Sequence, residues 1–494
     1  MNDLKRFLIL PILAFSLAGC LGARAQTRST QKPQAKKKVT IDDAKVYKEA
    51  MAWFKKGEAL IGTPKENSDE QMELFLKAIQ IMPDFLEAHY NLGLIYANKS
   101  RMKEAAAEFE KVLELEPKFD PGIYSLLASA YQELGETGSA VKSLEEGLRR
   151  KPGDVQWLRA LAYLYYTNKD EDGAIRTLRQ VLEIEASDVA SRVELAQLLQ
   201  GKGELDSAAG HYQKAISADP LNFTARYNLG TICMQQKKYS EAAAEFEAAN
   251  QLKPGNAELL ERLGDAYSYQ QQNEKAVAAY REALGASSEK AGLYAKLGFS
   301  LANMDHPDGA AAALENAVRL NPKNSDALFL LGDLYDELKR PDDAITTYRR
   351  SLEIKPDQKE VHYNLGTLFA EQQRLDEAIA ELKLAVQLDP GYVPAWANLA
   401  LVAEKLELDL EAIQAHEKVI ALGKAQSVNY FRLGILYAKA EQPDAAISAF
   451  AKAIEMDPDK YRPILREELK KVHSVLDSVR YKETFTRLLD LPAR

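Results

Sequence analysis

Cysteine is almost missing. Cys20 and Cys233 are the two in 494 residues, which excludes a disulfide framework. Their surroundings differ too much for a bridge between them to be expected. A membrane-crossing run is missing as well: Phe7 to Ala18 is apolar, but a spanning helix needs roughly 20 such residues. A net positive charge is missing from the body of the chain. The whole carries −9, yet residues 1 to 41 hold eight Lys or Arg against one acid, Asp3, so the remainder carries −16. An acidic body argues against nucleic acid as the main partner, because binding phosphates needs a basic surface, and reads for the most part as plain solubility. The six histidines (His89, His211, His306, His362, His416 and His473) include no pair four apart on a helix and no set with metal-ligand spacing. No glycine-rich phosphate loop occurs. The expectation is no cofactor, no metal and no enzyme.

What is present begins with a targeting signal. Lys5 and Arg6 precede the apolar run Phe7 to Ala18, which has the length of a signal-peptide core. It ends in Leu17-Ala18-Gly19-Cys20. This resembles the lipobox of bacterial lipoproteins, which implies cleavage before Cys20 and lipidation of Cys20 itself. Two or more acyl chains give stable anchoring, since each buried methylene contributes about 0.8 kcal/mol. The alternative is an ordinary secretory peptide cut after Ala23 or Ala25. Leu21 is not the Asp that retains many such lipoproteins at the inner membrane, which points toward the outer membrane. Residues 21 to 41 hold six positive charges and no acid before Asp42. Such a segment cannot fold alone and reads as a flexible basic tether.

From Leu86 the sequence repeats every 34 residues, with one extra residue near Phe119, through eleven units to about Lys460. The seventh position is always Leu, from Leu92 to Leu433. The eighth is always Gly or Ala. The twentieth is always Ala, from Ala105 to Ala446. Eight units end on Pro. Leu at seven and an aromatic often at eleven (Tyr96, Tyr131, Tyr165, Tyr267, Tyr335, Tyr437) share one helical face. Small residues at eight and twenty let two helices cross closely. Proline cannot continue a helix and fixes the exit turn. Each unit is expected to be helix, tight turn, helix.

This spacing is similar to that of the tetratricopeptide repeat (TPR). The resemblance covers roughly three quarters of the chain and implies an all-α solenoid, a right-handed superhelix of helix-turn-helix units. Residues 42 to 85 read as a degenerate first repeat, with Tyr47, Met51 and Phe54 on one helical face and Phe75, Ala78 and Pro83 matching a second helix. Residues 461 to 494 read as the capping helices that a solenoid needs at its end. With tether, repeats and cap assigned, no stretch remains for a catalytic domain to occupy.

The resemblance implies that the first helices line a concave groove through positions two, five, six, nine and about twelve. Position five is often aromatic: Tyr90, Tyr227, Phe329, Tyr363 and Phe431. Position six is Asn in Asn91, Asn228, Asn364 and Asn398. Asparagine amides can hold a bound peptide backbone without choosing its sequence, and this resembles in part the asparagine ladder of the O-GlcNAc transferase arm. Units two to four depart from it with Leu126, Ala160 and Glu194. Two groups of acids, Glu258, Glu261 and Asp265, then Asp326, Asp333 and Asp336, would favour a basic partner segment or serve only as a solvated face. Chaperone-tail TPR domains use a five-residue carboxylate clamp. Asn398 and Arg432 match two of its positions, and Val428 stands where a lysine belongs, which argues against a chaperone tail. The expected function is a non-catalytic scaffold, lipid-anchored in the bacterial envelope, binding extended segments of partner proteins. Assembly of pili, polysaccharide-export or outer-membrane machinery would be its setting. The alternative is an accessory subunit of an envelope enzyme such as a polysaccharide synthase or peptidoglycan enzyme.

Overall fold

The computed structural model describes residues 41–471, save residue 288. The signal segment, Cys20, nearly all of the tether and the cap beyond residue 471 lie outside the described residues.

The described residues form twenty-five helices and no strand. A first pair, α1 (Ile41–Glu58) and α2 (Asp69–Ile81), precedes the regular units. Four units follow: α3 (Leu86–Asn98) with α4 (Met102–Leu115), α5 (Gly122–Glu133) with α6 (Thr137–Arg150), α7 (Val155–Thr167) with α8 (Glu171–Ile184), and α9 (Val189–Gly201) with α10 (Leu205–Ala218). Next come α11 (Phe223–Gln235) with α12 (Tyr239–Leu252), α13 (Ala257–Tyr269) with α14 (Asn273–Ala286), and α15 (Ala291–Ala302) with α16 (Pro307–Leu320). The last four are α17 (Ser325–Glu337) with α18 (Pro341–Ile354), α19 (Lys359–Glu371) with α20 (Leu375–Leu388), α21 (Val393–Lys405) with α22 (Asp409–Ala421), and α23 (Ser427–Lys439) with α24 (Pro443–Met456). A final helix, α25 (Pro458–Lys471), starts three residues before the expected cap, with Pro458 in its first turn, where no amide donor is needed. The helices group into two compact units, one ending at Leu252 and one beginning at Lys253.

Three positions build every repeat. The position-twenty Ala is at most 1% exposed in all eleven units. The position-eight glycine faces position twenty-four of the same unit. A Cβ on Gly93 would sit 2.6 Å from the Phe109 ring, and one on Gly264 2.4 Å from Tyr280. Where position eight is Ala, position twenty-four is Leu144, Leu178, Tyr212 or His416. The turn between the two helices needs a left-handed residue at position fifteen. Gly135 and Gly203 supply it freely, but Ser100, Lys169, Lys237, Gln271, Asp305, Lys339, Gln373, Glu407 and Glu441 adopt it at φ 57–63°. Several first helices are capped by the residue before them: Asp154, Asp188, Asn222, Asn256 and Asn324 each accept from the backbone two or three residues into the helix.

Some first helices of consecutive repeats also touch, α9 with α11 in the first compact unit and α15 with α17 and α19 with α21 in the second. Where they touch, these first helices share a face within their own compact unit.

Candidate partner-binding face

Four of the position-five aromatics pack their rings toward the position-twenty-four side chain, while Tyr363 meets Tyr392 edge-on, with centroids 5.4 Å apart. Ring centroids are 6.4 Å apart for Tyr90 and Phe109, and 6.3 Å for Phe329 and Tyr348. Tyr90, Phe329 and Tyr363 stay half-buried. Tyr227 and Phe431 do not: both are 7% exposed. Tyr227 is wedged between Phe223 and Phe246, each 6.0 Å away, and Phe431 lies against Phe450 and Tyr461. These two belong to the core and offer a partner little surface, which corrects the expectation drawn from their position.

In three units position six is a rung between repeats. In these the side chain reaches back 31 residues, to position nine of the preceding first helix. Asn364 donates to Asp333 Oδ1 at 2.8 Å and also to the Tyr348 hydroxyl at 3.2 Å. Asn398 donates to Thr367 Oγ1 at 3.0 Å. Lys296 reaches Asp265 at 2.7 Å and Glu261 at 2.8 Å. Asn91 instead donates to the Glu87 carbonyl of its own helix at 2.7 Å. At Asn364 and Asn398 the amide donors are thus spent within the chain, while the amide oxygens remain as acceptors. The acids divide accordingly. Glu261 and Asp265 are already met by Lys296, which holds the Glu261 carboxyl below its ordinary range despite burial. Asp333 accepts from Tyr348 and Asn364, yet burial raises its carboxyl. Glu258 pairs with Arg262 one turn on, at 3.1 Å. Asp326 is exposed. Arg432 binds Glu404 at 2.8 Å, and the same carboxylate accepts from His416 at 2.8 Å. His416 is 1% exposed and fills the place of an aromatic at position twenty-four.

Two further ladders escape the sequence pattern. A position-eleven tyrosine bonds the glutamate at position twenty-five of the preceding unit: Tyr335 to Glu315 at 2.8 Å, Tyr437 to Glu417 at 2.5 Å, and likewise Tyr131 to Glu110 and Tyr165 to Glu145. Burial and these carboxylates push the Tyr335 and Tyr437 hydroxyls up to about 12. Where position twenty-five is Arg179 or Arg349, position eleven of the next unit is Leu199 or Phe369. The second ladder uses position four as a clamp. His89 holds Glu108 at 2.5 Å and the Pro83 carbonyl at 2.8 Å. His362 holds Glu381 at 2.6 Å and the Pro356 carbonyl at 3.0 Å. Arg226 makes the same pair with Glu245 and the Pro220 carbonyl, both at 2.9 Å. The prolines therefore stop one helix and also accept a bond from the next.

Glu194 is the residue that the sequence pattern left aside. It stands at position six of α9, opposite Tyr163 in the rung register. Burial, with Asp188 adding repulsion, pushes its carboxyl up to about 7. The one cation acting on it, Arg159, is already committed to Asp188 at 2.9 Å and Glu185 at 2.6 Å. The signal was visible as a lone acid at a position otherwise Asn, Lys, Arg or apolar. Cys233 is buried, and burial pushes its thiol up, as for a small core residue. Among the described residues no three His, Cys, Asp or Glu converge as metal ligands, and no helix is long and apolar enough to cross a membrane.

Comparisons with known proteins agree on the repeat. Descriptions of the tetratricopeptide repeat match residues 72–120, 97–164, 193–257, 257–290, 296–359, 359–392 and 428–460. Together these segments take in more than half of the chain. The chain is 34% identical over 73 residues to protein O-mannosyl-transferase TMTC3 of Mus musculus, covering 15% of this chain and 8% of that protein. Among solved structures it is similar to YrrB, a TPR protein with an unusual peptide-binding site, at 24% identity and TM-score 0.36, over 37% of this chain and 95% of that one. It is also similar to Naa15/Naa10 bound to HypK-THB, at 14% identity and TM-score 0.41, over 89% of this chain and 75% of that one. With the repeat positions, the helix pairs and the matched segments in agreement, the chain belongs to the tetratricopeptide-repeat family.

Proposed function

We propose that this protein is a non-catalytic scaffold that holds extended segments of partner proteins along its first-helix face. The observation that carries this reading is the set of rung bonds that join first helices of consecutive repeats within one compact unit, Asn364 to Asp333 and Asn398 to Thr367. Half-buried Tyr90, Asn91 and Asn228 stand on first helices of one compact unit, and half-buried Phe329 and Tyr363 on first helices of the other. At Asn364 and Asn398 the rung bonds hold the amides in place, so their free oxygens can accept from a peptide backbone without ordering cost at the moment of binding. The lipobox-like segment ending at Cys20 supports attachment to a bacterial membrane, with the basic tether between anchor and repeats. Pilus assembly, polysaccharide export and outer-membrane assembly are the settings this arrangement suits.

The test compares the native protein with Cys20→Ala and with Asn91→Ala plus Asn228→Ala, in pull-downs from detergent-solubilised cells. The Asn pair is chosen because no cross-repeat rung involving either side chain is seen. The Cys20 variant should leave the membrane fraction, and the groove variant should lose defined partners while keeping its fold by circular dichroism. A Cys20 variant that fractionates like the native protein would remove the anchor from this reading. A groove variant that keeps every partner would remove the groove. If a partner lost by the groove variant is itself an enzyme whose turnover depends on this protein, the chain is an accessory subunit instead.

A further inference from the structure

One repeat breaks the clamp. In α3, α11 and α19 a position-four cation meets a glutamate at position twenty-three: His89 with Glu108 at 2.5 Å, Arg226 with Glu245 at 2.9 Å, and His362 with Glu381 at 2.6 Å. In the repeat of α9 and α10 the cation remains, as Arg192, but position twenty-three is His211. Arg192 still reaches the carbonyl of the preceding turn, at Ala186, just as its counterparts do. No carboxylate meets its guanidinium among the described residues. The Nδ1 of His211 is buried without a hydrogen-bond partner.

The neighbouring positions make the imbalance larger. Arg179 on α8 occupies position twenty-five, where Glu110, Glu145, Glu315 and Glu417 each receive a tyrosine from the next repeat; here the next repeat offers Leu199. Lys214 lies one turn beyond His211 on α10. Arg179 and Lys214 are exposed. The charges acting on His211 come from α8, α9 and α10 and are all cationic: Arg192, Lys214 and Arg179, which with burial depress its pKa. Position twenty-three, which carries the carboxylate in three other repeats of this chain, here carries an imidazole with an orphaned nitrogen, and three positive groups act on it.

We propose that Arg179, Arg192, His211 and Lys214 form a second binding site, which takes a carboxylate from an acidic segment of a partner protein. The preference for a carboxylate follows from the sister repeats, whose backbone presents one to the position-four cation at 2.5–2.9 Å. A planar fork of donors suits that group. The site lies at the junction of first and second helices, away from the rungs of the first-helix face, and so is separate from the groove.

The probe is a fluorescein-labelled, end-blocked peptide with four consecutive glutamates, read by anisotropy against the full chain in detergent. A glutamine version of the peptide and inorganic phosphate serve as controls. The acidic peptide should bind saturably, at least about tenfold more tightly than the glutamine version, and weaken with added salt. Arg179→Gln, an exposed change, should weaken it about tenfold. His211→Glu should abolish binding and raise Tm, because it restores within the repeat the pair seen at Glu108, Glu245 and Glu381. Asn91→Ala plus Asn228→Ala should leave it unchanged, which separates this site from the groove. Equal binding of the two peptides, or undiminished binding by His211→Glu, would overturn the proposal. So would saturation by phosphate with no binding of the acidic peptide.

Discussion

At the scale of single residues, the imidazoles of His89 and His362 act as cations. Each has both ring nitrogens against acceptors, a carboxylate and a proline carbonyl, and both can be satisfied only when both nitrogens carry protons. Burial alone would depress their pKa, but these acceptors more than offset it, and the values end raised. A raised pKa in the folded state means stability that is fully present below the unfolded value, about 6.5, and lost as pH rises through the folded one. His362→Gln should therefore cost about 1–3 kcal/mol at pH 6 and less at pH 9, measured by urea unfolding. His362→Arg, copying Arg226, should keep the bond and remove that pH dependence. A deficit for His362→Gln that is the same at both pH values would sink this account. Glu194 follows the same sign for a different reason. Its carboxyl sits at about 7, above the ordinary range near 4.3, so the folded state holds the proton more tightly and loses stability as pH climbs between those values. Glu194→Gln should have little effect at pH 4 and stabilise by roughly 1–3 kcal/mol at pH 8.

At the scale of the element, the helix pair is set by close approach and by one turn residue. Gly264→Ala would place a methyl 2.4 Å from the Tyr280 ring, whose hydroxyl is tied to Asp265 at 2.8 Å and so cannot swing away. The expected cost is about 1–3 kcal/mol, read from denaturant midpoints. Lys237→Gly should go the other way. Lys237 holds the left-handed conformation at φ 59°, where glycine avoids a Cβ penalty, for a gain of about 0.5–1 kcal/mol. The helix pair was legible in the sequence because Leu at seven, the small residue at eight and Ala at twenty are dictated by packing inside one repeat, and eleven copies print the same answer. The ladders were not legible. Asn364 finds its partner 31 residues back and Tyr335 finds Glu315 20 residues back, so partners that differ from repeat to repeat look like scatter when units are aligned in columns. For the same reason Asn364 and Asn398 read as unoccupied amides, and Tyr227 and Phe431 as groove residues, although ring packing on Phe246 and Phe450 had already claimed the last two.

At the scale of the whole molecule, contacts run almost entirely between neighbours, so stability is close to a sum of repeat terms and interface terms. Damage should stay local. In hydrogen exchange followed by mass spectrometry, Gly93→Ala should speed exchange in α3 to α6 and leave α17 to α24 at native rates. A uniform rise along the chain would mean that the array unfolds as one cooperative block.

The rungs carry one more implication. A column of interchangeable bricks could be reassembled in any sequence, but here Lys296 expects an acid behind it, Asn398 a hydroxyl, and Tyr335 a glutamate. A shuffled gene with the same eleven bricks would set lysine against threonine and asparagine against phenylalanine. The chain thus encodes an itinerary as well as a count, and new bricks can be spliced in only where both neighbours still recognise their mates.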